Sequence, residues 1–239
     1  MKHLQKELDS LLSQFPDETE IRNQLESLIS VYPFNDYEYI ISTLLGSGIL
    51  TLDVYHRLLE EYVTRNRYLE VFQISGTRTF GETWAHRHLE QLAPELERPS
   101  KSLDPDYDQQ YDFFLAGIRI EVKASRAVDA GSREPLYVKA LSSESKKNFR
   151  MNFQQIKPAL CDVFVWIGVW LDVIRYWVLS SQEVEKNQYF SDSQHRGNVG
   201  EGQLHLRKAN ISEFDQYEAQ PTQLADEIRS AYLRQQRQA

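Results

Sequence analysis

The chain has 239 residues, with 27 Lys and Arg against 35 Asp and Glu, a formal net charge of −8. At 41% hydrophobic and 26% charged it has the composition of a soluble globular protein, which excludes a disordered tail, and its acidity excludes a polycation that coats nucleic acid. A single cysteine, Cys161, excludes an intramolecular disulfide and a thiolate zinc site.

The first seventy residues read as helices. Leu4, Leu8, Leu11, Leu12 and Phe15 recur at helical spacing until Pro16. Ile21, Leu25, Leu28 and Ile29 follow the acidic DETE, and a third helix is expected over 36–45, closed by Gly46 and Gly48. Thr51 caps a fourth, TLDVYHRLLEEYVTRN. Residues 1–60 hold ten acids against four bases, a poor surface for phosphate. Residues 1–68 are therefore expected to form a helical accessory or dimerising subdomain, with a helix-turn-helix DNA reader as the alternative. A polar start and no window of about 18 apolar residues predict a cytoplasmic protein without a membrane span.

Residues 69–239 are expected to form a second domain. GTRTFGETWAHRHLEQLA reads as a helix, SKSLDPDYDQQ as a loop, and two short strands follow. A basic, Ser-rich connection over 139–150 leads to a helix or turn at FQQIKPAL. CDVFVWIGVW and VIRYWVLS are apolar enough to be central strands, with Cys161 as a buried structural thiol. A short helix after Ser180, the polar loop SDSQHRGNVGEG, a strand at QLHLRK and a last helix at PTQLADEIRSAYL complete the chain. This order predicts an α/β or mixed α+β fold.

The chemistry concentrates in YDFFLAGIRIEVKAS, residues 111–125. With Ala116-Gly117 as a two-residue turn, Leu115 faces Ile118, Phe114 faces Arg119, Phe113 faces Ile120 and Asp112 faces Glu121. Alternation sends Phe113, Leu115, Ile118, Ile120, Val122 and Ala124 to one face and gathers Asp112, Arg119, Glu121 and Lys123 on the other. Opposed carboxylates repel, and a divalent cation between them reverses that sign. Hard oxygen donors with open positions suit Mg²⁺, which keeps waters and takes phosphate oxygens. Ala-Gly is not a favoured turn pair, so the carboxylate pairing depends on this register. A solvated hairpin face with a cross-strand salt bridge is the plain alternative.

Asp112, followed on the next strand by Glu121-Val122-Lys123, resembles the signature of the PD-(D/E)xK nuclease superfamily, over roughly residues 75–180. The resemblance implies a restriction-endonuclease-like core, a mixed central sheet flanked by helices. It implies a Mg²⁺ site, with Mn²⁺ as substitute, held by Asp112, Glu121 and the Val122 carbonyl. Lys123 would then act on the attacking water, and Glu82, on the preceding helix, would join the site. The pattern departs from the family in lacking a Pro before Asp112. The Pro105-Asp106 pair keeps Asp106 as the other candidate for first acid. The order of parts also resembles type II restriction endonucleases, implying double-stranded DNA as substrate and a homodimer on a palindrome. Another nuclease of this fold, or a non-catalytic DNA-binding protein, remains as the alternative reading.

Residues 118–160 hold nine bases against four acids, +5, leaving −13 on the remainder. Arg119, Arg126, Lys139, Lys146, Lys147, Arg150 and Lys157 are candidate phosphate contacts, since affinity for phosphate needs cations on one surface, not a basic total. Gln155 is a candidate beside the site. Gln194, His195, Arg196 and Asn198 in the polar loop are of types that read base edges. His86 and His88 lie two apart on a helix and do not face each other, which disfavours zinc.

Overall fold

The computed structural model describes residues 10, 12–19, 44, 46–193 and 201–237. The chain divides into two compact units, residues 1–67 and 68–239. In the first unit the expected fourth helix runs over Leu52–Arg65 (α1), and the Thr51 hydroxyl accepts from the Val54 N–H. The three expected helices before it fall largely outside the described residues.

The second unit is built around two strands that have almost nothing polar to show water. Val163–Val169 (β5) is buried at every position, and Ile174–Ser180 (β6) at all but Arg175. Such strands require cover on both faces. They lie in a sheet with Phe113–Leu115 (β1), Ile118–Arg126 (β2) and Glu218–Ala219 (β9), in the order β1-β2-β5-β6-β9. β2 and β5 are parallel and the remaining pairs antiparallel, so the sheet is mixed.

One face, with Ile120, Val122, Val163, Val165 and Ile167, packs on Leu69–Gln73 (α2), Ala85–Leu92 (α3) and the C-terminal helix through Phe72, Leu89 and Ile228. A π-helical turn over Thr79–Trp84 leads into α3. The other face, with Phe164, Trp166, Trp177 and Leu179, packs on a second sheet. That sheet has the order β3-β4-β8-β7: Val128–Asp129 (β3), Phe149–Ile156 (β4), Gly202–Arg207 (β8) and Phe190–Ser191 (β7). Met151, Phe153, Leu204 and Leu206 supply its buried side. Ser181–Glu185 (α4) follows a capping box at Ser180, and Leu224–Gln236 (α5) ends the described fold. The architecture is mixed α/β, with two sheets and flanking helices.

Two local outcomes matter for the site. The hairpin has the expected register, Phe113 with Ile120, Phe114 with Arg119 and Leu115 with Ile118. Ala116 and Gly117 both take positive φ, 48° and 90°, the shape a two-residue turn needs to match strand twist, although Ala has no preference for it. FQQIKPAL is neither helix nor simple turn: FQQI continues β4, and only Pro158–Leu160 forms a 3₁₀ turn. Phe149, Met151 and Phe153 alternate inward, and a bulge at Gln155, φ 55°, brings Ile156 inward as well. Cys161 is buried against Ser181, and burial pushes its thiol pKa up.

Candidate active site

The polar face of β2 emerges where the core between the two sheets ends. Glu121 pairs in register with Phe164 and Lys123 with Trp166, so the same sheet face that buries aromatic rings on β5 carries charge on β2. These side chains line an open cleft of about 940 Å³, bounded by the π-helical turn, the residue 108–110 loop, β2 and β4.

Asp112 and Glu121 meet in this cleft, by a route slightly different from simple opposition. The ladder ends at Phe113, and the Asp112 N–H donates to the Ile120 carbonyl at 2.9 Å. The Asp112 carboxylate turns back to accept from the Val122 N–H at 2.8 Å. It thereby satisfies a strand-edge donor and is held beside Glu121. Lys123 Nζ lies 2.6 Å from Glu121 Oε1, with both side chains 16% exposed.

The electrostatics separate the two acids. Burial pushes the Glu121 carboxyl up to about 7, and the neighbouring Asp112 charge adds to this against the opposing pull of Lys123. Burial acts on Asp112 too, but His86, the Val122 N–H and Lys123 together hold its pKa below the ordinary value. His86 is the residue that sequence reasoning leaves out. Its Nε2 lies 3.3 Å from Asp112 Oδ1, its Nδ1 lies 3.0 Å from an Arg98 nitrogen, and its ring meets Phe113 edge-on. Arg98 in turn donates to Glu90 at 2.7 Å. The long-range signal is weak: only the packing of α3 on β1 brings residue 86 to residue 112.

The donor set is compatible with a hard divalent cation. Two carboxylates and the Val122 carbonyl are oxygen donors, and the Asp112 charge that adds to the burial-driven rise of the Glu121 pKa is a repulsion that a cation relieves. Among the described residues no group of three or more His, Cys, Asp or Glu is arranged to hold a metal. The fit is thus to an ion with two protein carboxylates that draws its other ligands from water and phosphate, not to an all-protein cage.

Of the other expected site residues, Glu82 sits on the cleft wall, 57% exposed, with its carboxylate 2.6 Å from Arg78. Asp112 lines the cleft and Asp106 does not. Arg150, Gln155 and Lys157 also line it, and Lys157 pairs with the buried Glu201 at 3.0 Å. Arg119 forms a two-pronged pair with Asp162, at 2.9 and 3.1 Å. Arg126 is turned inward: it donates to the Val71 and Ile74 carbonyls, and its guanidinium lies 4.2 Å from the Phe80 ring centroid. Lys147 pairs with Asp129, Lys146 is exposed and Lys139 half-buried. Gln194, His195, Arg196 and Asn198 lie outside the described residues.

No protein-family model, curated protein or solved structure matches the chain. Among the described residues no helix is long and apolar enough to cross a membrane.

Proposed function

We propose that the protein is a Mg²⁺-dependent endonuclease that hydrolyses phosphodiester bonds of double-stranded DNA. The observation that carries this reading is the Glu121–Lys123 pair beside Asp112 on the wall of an open cleft, with the Glu121 carboxyl raised to about 7. A buried pair of carboxylates with an ammonium is costly to fold and has no packing purpose, which favours chemistry over a structural role. Arg150 adds positive charge along the same cleft, as a polyanionic substrate requires.

In this reading Asp112 and Glu121 would hold the cation, helped by the carbonyl of Val122, the residue between Glu121 and Lys123. When bound, Mg²⁺ supplies a Lewis acid for the phosphate oxygens and lowers the pKa of coordinated water. Lys123 orients the attacking water and screens the charge that develops on the phosphate. His86 fixes the Asp112 carboxylate. By resemblance of the acid–acid–Lys pattern, the enzyme is a type II restriction endonuclease with a restriction-endonuclease-like core, a homodimer on a palindromic site.

The test is digestion of a long unmodified DNA with Mg²⁺ and sequencing of the ends. Discrete fragments are expected from the wild type and none from Glu121→Ala. A smear would point to a nuclease without a fixed site, and intact DNA with both Mg²⁺ and Mn²⁺ would favour a non-catalytic DNA-binding protein.

A further inference from the structure

β4 does more than wall the cleft. Its inward residues Met151 and Phe153 belong to the core, so Arg150, Asn152 and Gln154 share the opposite face and line the cleft. In the antiparallel pairing with β8, Arg150 stands opposite Arg207, Asn152 opposite His205 and Gln154 opposite Gln203. Directly opposed residues share a face, so these six side chains form one polar surface. It carries two arginines, two glutamines, an asparagine and a histidine, and no acid.

The width of this surface is as informative as its composition. β3 pairs with β4 only at Phe149 and Arg150, and β7 pairs with β8 only at Gln203 and Leu204. Between those ends, at Asn152 and His205, the described part of the sheet is two strands wide, with β2 beside the β4 edge at Asn152. A two-stranded ribbon of this kind fits the DNA major groove, which is about 12 Å across. From Arg150 to Gln154 is four residue steps, about 14 Å of strand, matching roughly four base-pair steps along the groove.

From these observations, and resting on the nuclease reading above, we infer that the polar face of the β4–β8 ribbon enters the major groove and reads base edges next to the cut. Asn and Gln present the donor–acceptor pair that adenine N6 and N7 require, and Arg presents the fork that guanine O6 and N7 require. Charge on the ribbon suits the duplex: Arg150 and Arg207 stand on it, and burial first, then Arg207 and Arg150, lower the His205 pKa. Asn152 Oδ1 and His205 Nδ1 are buried and have no hydrogen-bond partner among the described residues, so the base-reading capacity of the ribbon rests on Arg150, Gln154, Gln203 and Arg207, which flank them. Gln203 Nε2 donates to the Ser193 carbonyl at 3.3 Å, which fixes its amide on the ribbon. The reading surface is also tied to the chemistry. The Asn152 N–H donates to the Ser125 hydroxyl at 2.9 Å, and Ser125 follows Lys123 by two residues on the same face of β2.

The experiment uses the full chain and a duplex library with randomised positions, cut with Mg²⁺ and sequenced, for the wild type and for Arg150→Ala and Gln154→Ala. Thermal unfolding shows which variants keep the fold, and the exposed Gln154 keeps the test valid if Arg150→Ala does not fold. The wild type is expected to prefer a defined sequence. Each folded variant is expected to lose about tenfold or more of its discrimination at one or two adjacent base pairs and to retain it elsewhere. Folded variants with the full wild-type preference overturn the inference. So does uniform weakening on all sequences with a shallower salt dependence, which marks phosphate contact instead. A wild type that cuts every sequence equally overturns it and leaves the nuclease reading standing. A wild type that cuts no DNA overturns both.

Discussion

His86 Nε2 lies 3.3 Å from Asp112 Oδ1, while His86 Nδ1 lies 3.0 Å from an Arg98 nitrogen. A guanidinium can only donate, so Nδ1 accepts and Nε2 is left to carry the proton toward Asp112. The carboxylate is thereby held by His86 on one oxygen and by the Val122 N–H on the other. His86→Ala should leave the acid in place but held on one oxygen only, by the Val122 N–H. The Mg²⁺ concentration giving half-maximal cleavage should rise about tenfold or more, with His86→Gln recovering part of the loss. A magnesium titration of cleavage checks this, and an unchanged curve for His86→Ala would remove His86 from the site.

Glu121 makes stability and cation binding depend on pH in opposite senses. Its carboxyl titrates near 7 in the fold, above the ordinary value of 4.5. Between those values the folded state holds a proton that the unfolded chain has lost, so stability falls as pH rises toward 7 and then levels off. The penalty is on the order of 3 kcal/mol, and Glu121→Gln should remove it. A bound cation needs the ionised form. Added Mg²⁺ should therefore raise the melting temperature more at pH 8 than at pH 6, and Glu121→Gln should abolish that difference. Thermal unfolding at the two pH values, with and without Mg²⁺, decides the matter.

Arg126 separates a structural cation from a DNA contact. Its side chain bonds the Val71 and Ile74 carbonyls, and burial pushes its pKa down to about 10. Arg126→Ala strips two carbonyls of their donor and opens space beside Phe80, at a cost of about 3 kcal/mol. The expected result is a lower denaturant midpoint with little change in the salt dependence of DNA binding. A stable variant with a shallower salt slope would return Arg126 to the phosphate-binding set.

The same residue shows what the sequence makes legible. Period-two alternation along β2 puts Arg126 on the face of Ile120, Val122 and Ala124, so its inward direction follows from the pattern that sorts Glu121 and Lys123 outward. The hairpin register is legible for the same reason, because a slip by one residue would bury the charged set. FRMNF in β4 alternates as clearly, but the basic, Ser-rich composition before it disguises a strand as a connection. His86 is different in kind. Nothing within its own helix points to Asp112, because the contact exists only once α3 has packed on the sheet. Glu82 is a further case: it reaches the cleft wall as its position suggests, and Arg78, one helical turn before it, takes up its carboxylate.

Lys123 offers the sharpest test of the proposed chemistry, because its charge has two roles that substitution can separate. At 2.6 Å from Glu121 Oε1 it lowers the Glu121 pKa, and by its place in the cleft it would position the attacking water. Lys123→Met keeps most of the volume and removes the charge. Cleavage should fall by roughly 10² or more, since an electrostatic contribution of this kind is lost in full. Glu121, without its ammonium, should titrate higher still, so whatever activity remains should need a more alkaline solution. Lys123→Arg restores the charge in a larger, planar head group. It should bring the pH profile back toward the wild type while recovering only part of the rate. A pH–rate profile for the two variants provides the check. If Lys123→Met cleaves at the wild-type rate, the lysine serves only as a counter-ion to Glu121.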